Sequence, residues 1–287
     1  MSRWTKRRER YRALLADKSC VYPGSVFDPM SMRVAESVGY ELGMFAGSTA
    51  SLTVLGAPDI IALTLPEFAD QALRICRAGT MPLMVDADHG YSNAMNVMRT
   101  VEELEIAGIA GMSIEDTVLP QAFGSGGKPG LTSIEEGVGK MRAAIEARHD
   151  KGLIIAGRTS APQFTNVADA IARGKAYSAV GVDAMFYVGV KTRADLDAIA
   201  SEITLPIILG ALPADLLDKD YLASRGVRVA LQGHQPIQAA VQAIYTTMKA
   251  LRDGTPPGKL EGLASAALMK TATRGGDYDR WSKDFLT

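Results

Sequence analysis

The stretch MPLMVDADHG, residues 81–90, sets two aspartates and a histidine directly behind a short apolar run. A run of that length, closed off by polar residues, reads as a strand buried on both faces, as in a parallel sheet. Its end is unusual. Asp86 and Asp88 flank a single alanine, which is more acid than a helix cap requires. Carboxylates so placed repel one another and resist desolvation. Two questions follow: which sheet the strand belongs to, and what positive charge its acids face.

Seven further runs of the same kind occur: CVYPGSVF (20–27), LGMFAG (42–47), GMSI (111–114), GLIIAG (152–157), AMFYVG (184–189), PIILG (206–210) and VRVALQG (227–233). Amphipathic stretches alternate with them, at 65–78, 93–108, 133–150, 192–203 and 236–254. Ser133 and Glu136 have the spacing of a capping box. Strand and helix recur at roughly 30-residue intervals, as βαβ units do. Eight such units predict an α/β chain closed into a (β/α)8 TIM barrel. An open doubly wound sheet is the alternative, but no strand-to-helix turn carries G-x-G-x-x-G.

Residues 1–287 read as one barrel domain with two departures from the rhythm. LPQAFGSGGKPGLT (119–132) carries scattered Gly and Pro and begins just after the acids of the fourth run, which suits a lid loop over the barrel mouth. Residues 255–287 form a C-terminal helical extension whose apolar patch, LASAALM, is expected to pack on another surface, such as a neighbouring subunit. The N-terminus is basic, and Leu14 and Leu15 fall on one face of a short opening helix.

Composition narrows the function. With 31 basic and 32 acidic residues the net charge is −1, which gives no reason to expect nucleic acid or an anionic membrane as partner. No apolar run approaches the ~20 residues of a membrane span. Cys20 and Cys76 lack metal-ligand spacing and read as reduced thiols. The N-terminus has no apolar signal-peptide core. The expected location is cytoplasmic.

In a barrel of this kind chemistry sits at the C-terminal ends of the strands. Ser48, Thr49 and Asp59 follow the second run; Asp86, Asp88 and His89 the third; Glu115 and Asp116 the fourth; Arg158 the fifth; His234 the eighth. Carboxylates from adjacent strands, without a cluster of histidines or thiols, make a hard-oxygen site suited to Mg2+ or Mn2+ rather than zinc. Asp86, nearest the strand end, is the expected direct ligand. Asp59, Asp88 and Glu115 would act through water, since Mg2+ keeps part of its hydration shell. Asp116 and His89 read as structural, in the manner of helix-capping residues. Arg158 would grip a carboxylate or phosphonate with its planar fork. Ser48 and Thr49 either cap a helix or aim a hydroxyl and backbone N–H groups at an oxyanion. His234 is either structural or functional on its residue type alone.

VFDPMS, AGSTAS, APD, DADHGY, SIEDTVLP, EEGVGKMRAA and GRTSA resemble, in order and spacing, the phosphoenolpyruvate mutase/isocitrate lyase superfamily, over roughly residues 20 to 245. The resemblance implies a (β/α)8 barrel, usually a homotetramer (a dimer of dimers) with its last helix exchanged between subunits. It also implies Mg2+ or Mn2+ and chemistry beside the enolate of a small keto acid. By position, Asp86 would bind the metal, Asp59, Asp88 and Glu115 would surround it through water, Arg158 would bind the substrate carboxylate and Ser48 would touch the substrate. The isocitrate and methylisocitrate lyases carry a K-[KR]-C-G-H lid. Here the stretch is PQAFGSG, with Phe123 near the place of the catalytic cysteine. The phosphonate mutases and hydrolases carry a polar lid, where AFGSGGK offers only Ser125 and Lys128, neither in their register. GSTAS and GHQ resemble the oxaloacetate decarboxylase branch, which gives His234 a substrate-binding and catalytic role beside Arg158. Ser160 and Ala211 depart from the pocket expected there. The function implied is Mg2+-dependent decarboxylation of oxaloacetate to pyruvate and CO2 through a metal-stabilised enolate. The alternatives are a phosphonopyruvate mutase or hydrolase, or a carbon–carbon lyase of a related 2-hydroxy or 2-keto acid.

Overall fold

The computed structural model describes residues 4–121, 124 and 129–286. Each apolar run of the sequence contributes a strand: β1 (Gly24–Ser25), β2 (Gly43–Ala46), β3 (Leu83–Asp86), β4 (Gly111–Glu115), β5 (Ile154–Thr159), β6 (Ala184–Val188), β7 (Ile207–Gly210) and β8 (Val227–Ala230). They pair in chain order, each parallel to the next. Just before β1, the Val21 amide donates to the Arg228 carbonyl at 2.9 Å and the Ala230 amide donates to the Val21 carbonyl at 3.0 Å. That bridge joins the first strand to the last and closes the barrel.

Several of the helices begin where a side chain satisfies the first amides. After α1 (Thr5–Ala16) come α2 (Pro29–Ser37), α3 (Gly47–Ala50), α4 (Leu65–Ala78) and α5 (Ala94–Ala107). Then follow α6 (Ile134–Ala147), α7 (Ala161–Phe164), α8 (Val167–Ala179), α9 (Arg193–Glu202), α10 (Lys219–Ser224), α11 (Gln235–Arg252), α12 (Ala266–Thr273) and α13 (Gly275–Phe285). Ser133 caps α6 by accepting from the Glu136 amide at 3.1 Å. Asn93 caps α5, accepting from the amides of Met95 and Asn96.

Strand parity decides what faces inward. Met84, Ala156, Phe186, Ile208 and Val229 fill the barrel interior, whereas Val85, Met112, Ile114, Ile155 and Met185 pack outward beneath the helices. Asp86 therefore follows Met84 inward, Arg158 follows Ala156, and Ser113 and Glu115 share the inward face of β4. The basic opening segment has a definite task. Tyr11 and Leu15 of α1 enter the interior from the N-terminal end, and the Tyr11 hydroxyl meets the Met84 sulfur at 3.1 Å. Arg8 pairs with Asp150 at 2.6 Å and Arg12 with Asp183 at 3.0 Å, so the charges at the strand starts clamp the plug in place. With that end filled, the open mouth is at the C-terminal ends of the strands.

The C-terminal elements divide the expected exchange differently. α12 packs on α2 of its own chain, where Arg33 donates to the Ala272 carbonyl at 2.9 Å. The apolar patch of the extension stays largely uncovered, with Leu263, Leu268 and Met269 exposed, and so does α11, where only Ile237 is buried and Val241, Ile244, Tyr245 and Met248 are exposed. No described helix is long and apolar enough to cross a membrane.

Because Tyr11 is fully buried among inward strand residues, Tyr11→Ala is expected to lower the unfolding free energy by about 3–5 kcal/mol. The urea midpoint of the variant checks this.

Candidate active site

Three inward-facing charges meet at the strand ends. Arg158 lies near the end of β5, in register with Glu115 at the end of β4. Its guanidinium ion-pairs with the Oδ2 of Asp86 at the end of β3 and stands 3.3 Å from Glu115 Oε2. The other Asp86 oxygen accepts from the Ser113 hydroxyl at 3.1 Å and from the Asp88 amide at 3.3 Å. Thr117 donates to Glu115 Oε2 at 2.7 Å. Beneath the guanidinium lies the ring of Phe186, its centroid 5.4 Å from Arg158 Cζ, an arrangement that favours a cation. Burial works against the Arg158 charge, but Asp86, Glu115 and Asp88 outweigh it and raise its pKa.

Asp88 and Asp59 have no such ion pair among the described residues. Asp88 takes a left-handed backbone, φ +49°, and its carboxylate lies so close to Gly47 that any Cβ there would stand 2.3 Å from Asp88 Oδ2. Among the described residues nothing donates a hydrogen bond to that carboxylate. Burial first, then the charges of Asp86 and Glu115, raise its pKa well above the usual carboxylate range. Burial likewise raises Glu115, with Arg158 opposing. Asp59 sits on the exposed rim, and partial desolvation followed by the Asp86 charge raises it too. Ser48, Asp59, Asp86, Asp88, Glu115 and Arg158 all line one cavity of about 470 Å³. Of the two hydroxyls after β2, Thr49 is spent locally, donating to the Ala46 carbonyl at 2.8 Å, and Ser48 faces the cavity.

A second cavity of about 530 Å³ shares Asp86 and Arg158 and runs to His234 and Ala211. The ring of His234 is fixed by Ser25 of β1, whose hydroxyl lies 2.8 Å from Nδ1. Burial lowers the His234 pKa, with Asp86 and Asp59 opposing. Ala211 holds φ +54°, a left-handed alanine at the end of β7.

Asp116 and His89 are structural, as the sequence suggests, but neither is a helix cap. Asp116 is fully buried; Arg173 donates to it at 2.9 Å and the Tyr177 hydroxyl at 2.7 Å. His89 is buried with its Nδ1 unpartnered among described residues. Burial first, then Lys140, pushes its pKa down to about 4. Phe123, Ser125 and Lys128 of the lid stretch lie outside the described residues. Its stem is described: the Val118 amide donates to the Gly130 carbonyl at 2.8 Å, and Leu119, Pro120, Gln121 and Pro129 border the acidic cavity. Sequence reasoning missed Ser25, Ser113, Thr117 and Phe186. Only Ser113 carried a signal, since it lies two residues before Glu115 and therefore shares its face.

The donor set fits a hard divalent cation. Asp86, Asp88 and Glu115 face a single buried guanidinium, so negative charge is in excess where water is scarce. Among the described residues no three His, Cys, Asp or Glu side chains converge into a ready-made cage. Mg2+ is held by one or two carboxylates, with water or substrate completing its shell.

Residues 11–252 match the family described as phosphoenolpyruvate phosphomutase. The chain is 56% identical over 280 residues to a protein of Bradyrhizobium sp. strain BTAi1 named oxaloacetate decarboxylase, covering 98% of this chain and 97% of that one. Among solved structures it is similar to phosphoenolpyruvate phosphomutase from Streptomyces platensis subsp. rosaceus, with TM-score 0.86, 25% identity and coverage of 98% and 99%. It is also similar to phosphonopyruvate hydrolase in complex with oxalate and Mg2+, with TM-score 0.84, 24% identity and coverage of 98% and 99%, a likeness of fold.

The buried His89 gives a pH signature. Its folded pKa of about 4 lies below the ordinary 6.5, so the unfolded chain takes up the proton first. Stability contributed by neutral His89 is present above pH 6.5 and lost as the pH falls toward 4. Denaturant titrations from pH 7 to pH 4 are expected to show a shallower loss for His89→Gln than for the unmodified chain.

Proposed function

This chain belongs to the phosphoenolpyruvate phosphomutase family, and from that premise we propose that it decarboxylates oxaloacetate to pyruvate and CO2 with Mg2+ or Mn2+ as cofactor. The observation that carries the reading is 56% identity, nearly end to end, to a protein named oxaloacetate decarboxylase. The site supports it chemically. Asp86 would hold the cation directly, and Asp59, Asp88 and Glu115 would hold it through water. When bound, the cation supplies a Lewis acid that draws charge from the keto oxygen.

The chain's own groups do the rest. Arg158 neutralises and orients the C1 carboxylate. Oxaloacetate would displace the Arg158–Asp86 ion pair, so binding frees Asp86 as it occupies Arg158. Ser48 lies beside the acids and offers a hydroxyl to the substrate. His234, held by Ser25, presents its other ring nitrogen to the C4 carboxylate. Loss of CO2 leaves an enolate and needs no base, because no proton is removed. One proton must then reach C3. Cleavage to an aldehyde needs an acid–base group, and the lid stretch PQAFGSG has no cysteine to serve as one. As a lid, residues 119–132 would exclude water while charge develops.

The same reading places the protein in the cytoplasm and in a homotetramer. Two buried cysteines far apart in sequence suit a reducing compartment. The exposed apolar face of α11 suits exchange onto a neighbouring barrel. A second reading, a carbon–carbon lyase of a longer acid, is favoured by one feature: beside Ala211 the second cavity has an apolar border of Phe186, Val188, Leu212 and Leu231, which would suit an alkyl extension.

Oxaloacetate, phosphonopyruvate and alkylated malates, each with Mg2+, Mn2+ or chelator, test the proposal. Metal-dependent pyruvate from oxaloacetate is the expected result; phosphate from phosphonopyruvate, or cleavage of malates alone, overturns it. Asp86→Ala should lower kcat/KM by about a thousandfold, the scale set by losing several kcal/mol of charge stabilisation. His234→Gln should raise KM about tenfold, near the worth of one hydrogen bond to a charged group. Tyr245→Glu with Met248→Glu in α11 should shift the mass measured by light scattering below that of a tetramer.

A further inference from the structure

Lys140 of α6 lies behind the acid-bearing loop and has no part in the chemistry above. It is 2% exposed. Its ammonium donates to the His89 carbonyl at 3.0 Å and makes no ion pair with a described residue. Glu136, Glu115 and Asp116 act on it only from farther off. A buried ammonium with three donors and one described acceptor is an expensive way to fill space. An apolar side chain would pack there without that desolvation.

What it holds is a loop at odds with its own backbone preferences. From Asp88 to Ser92 the chain takes φ +49° at Asp88, +75° at Gly90, +60° at Tyr91 and +136° at Ser92. Three of those four are not glycine, and each such residue needs its surroundings to keep it there. The carbonyls show how this is done. That of Ala87 accepts from the Gly90 amide at 3.0 Å and that of Asp88 from the Glu115 amide at 2.8 Å. That of Gly90 accepts from the Thr100 hydroxyl at 3.2 Å. That of His89 is held by Lys140 alone among the described residues. The loop so fixed turns the unpartnered Asp88 carboxylate against Gly47 and into the acidic cavity.

We propose that Lys140 is a positioning residue for divalent-cation capture: by holding the His89 carbonyl it keeps the loop in the one conformation that presents Asp88 beside Asp86. This rests on the metal reading above. It assigns Lys140 no contact with substrate or cation.

The test is Mn2+ titration of the metal-free full-length protein, with unbound Mn2+ read by electron paramagnetic resonance, and amide hydrogen exchange on the same samples. Lys140→Met should weaken Mn2+ binding by about tenfold or more, the scale of losing an outer-shell partner. Lys140→Gln keeps an N–H donor without the charge and should bind near the unmodified value. Amides of residues 87–92 should exchange about tenfold faster in Lys140→Met, with β5 to β7 unchanged, a local loosening that general destabilisation would not produce. Unaltered Mn2+ affinity in Lys140→Met overturns the proposal. So does Lys140→Gln binding as weakly as Lys140→Met, since charge rather than the hydrogen bond would then be at work. Should Lys140→Met fail to fold, Lys140→Thr, too short to reach the carbonyl, is read by the same criteria. If the unmodified chain binds no Mn2+, the metal reading itself fails and takes this proposal with it, a pattern distinct from equal binding by all variants.

Discussion

The structure turns on an imbalance of buried charge. Asp86, Asp88 and Glu115 line one cavity at the ends of neighbouring strands, and among the described residues Arg158 is the guanidinium that answers them. Like charges buried together do not all ionise without a compensating cation. One arginine satisfies Asp86 and leans on Glu115, and Asp88 is left over. On the function proposed above, that excess of negative charge is what a divalent ion would answer, and the substrate would take Arg158 while the ion takes the acids.

Much of the fold serves to keep that imbalance in place. The α1 plug fills the interior from the N-terminal end with Tyr11 and Leu15, so only the C-terminal mouth is open. The strands deliver the acids and the arginine to that mouth by parity, and the outward residues of the same strands bind the helices that hold the barrel together. Asp116 shows how a neighbouring acid is kept out of the chemistry. One residue beyond Glu115, it faces the opposite way, and Arg173 and Tyr177 satisfy it. Two adjacent acids thus have separate duties because the strand alternates its faces.

The fold was legible to a large degree. Short apolar runs alternating with amphipathic stretches are a one-dimensional consequence of a sheet buried on both sides, and all eight runs became strands. Helix starts were legible where a side chain bonds within its own turn, as at Ser133. The site was legible as a set of residues, because strand ends can be located and polar residues there stand out. What escaped were residues whose role comes from a distant partner. Ser25 holds His234 across 209 positions of sequence. Phe186 underlies Arg158 only because β5 and β6 are neighbours with a particular register. The exposure of α11 was not legible either: its amphipathic pattern is the same whether its apolar face meets its own barrel or another surface.

By itself the sequence determined the class of barrel, the order of its units, the hard-oxygen character of the site and the candidates for it. These are set by periodicity and by residue chemistry, which are properties of the chain read along its length. Tertiary structure alone decided the pairings: that Arg158 answers Asp86, that Asp88 goes without, that Thr49 is spent on backbone while Ser48 faces the cavity, and that Lys140 pins the acid loop. Pairing depends on strand register and on distances between segments far apart in sequence, and no local pattern encodes a distance.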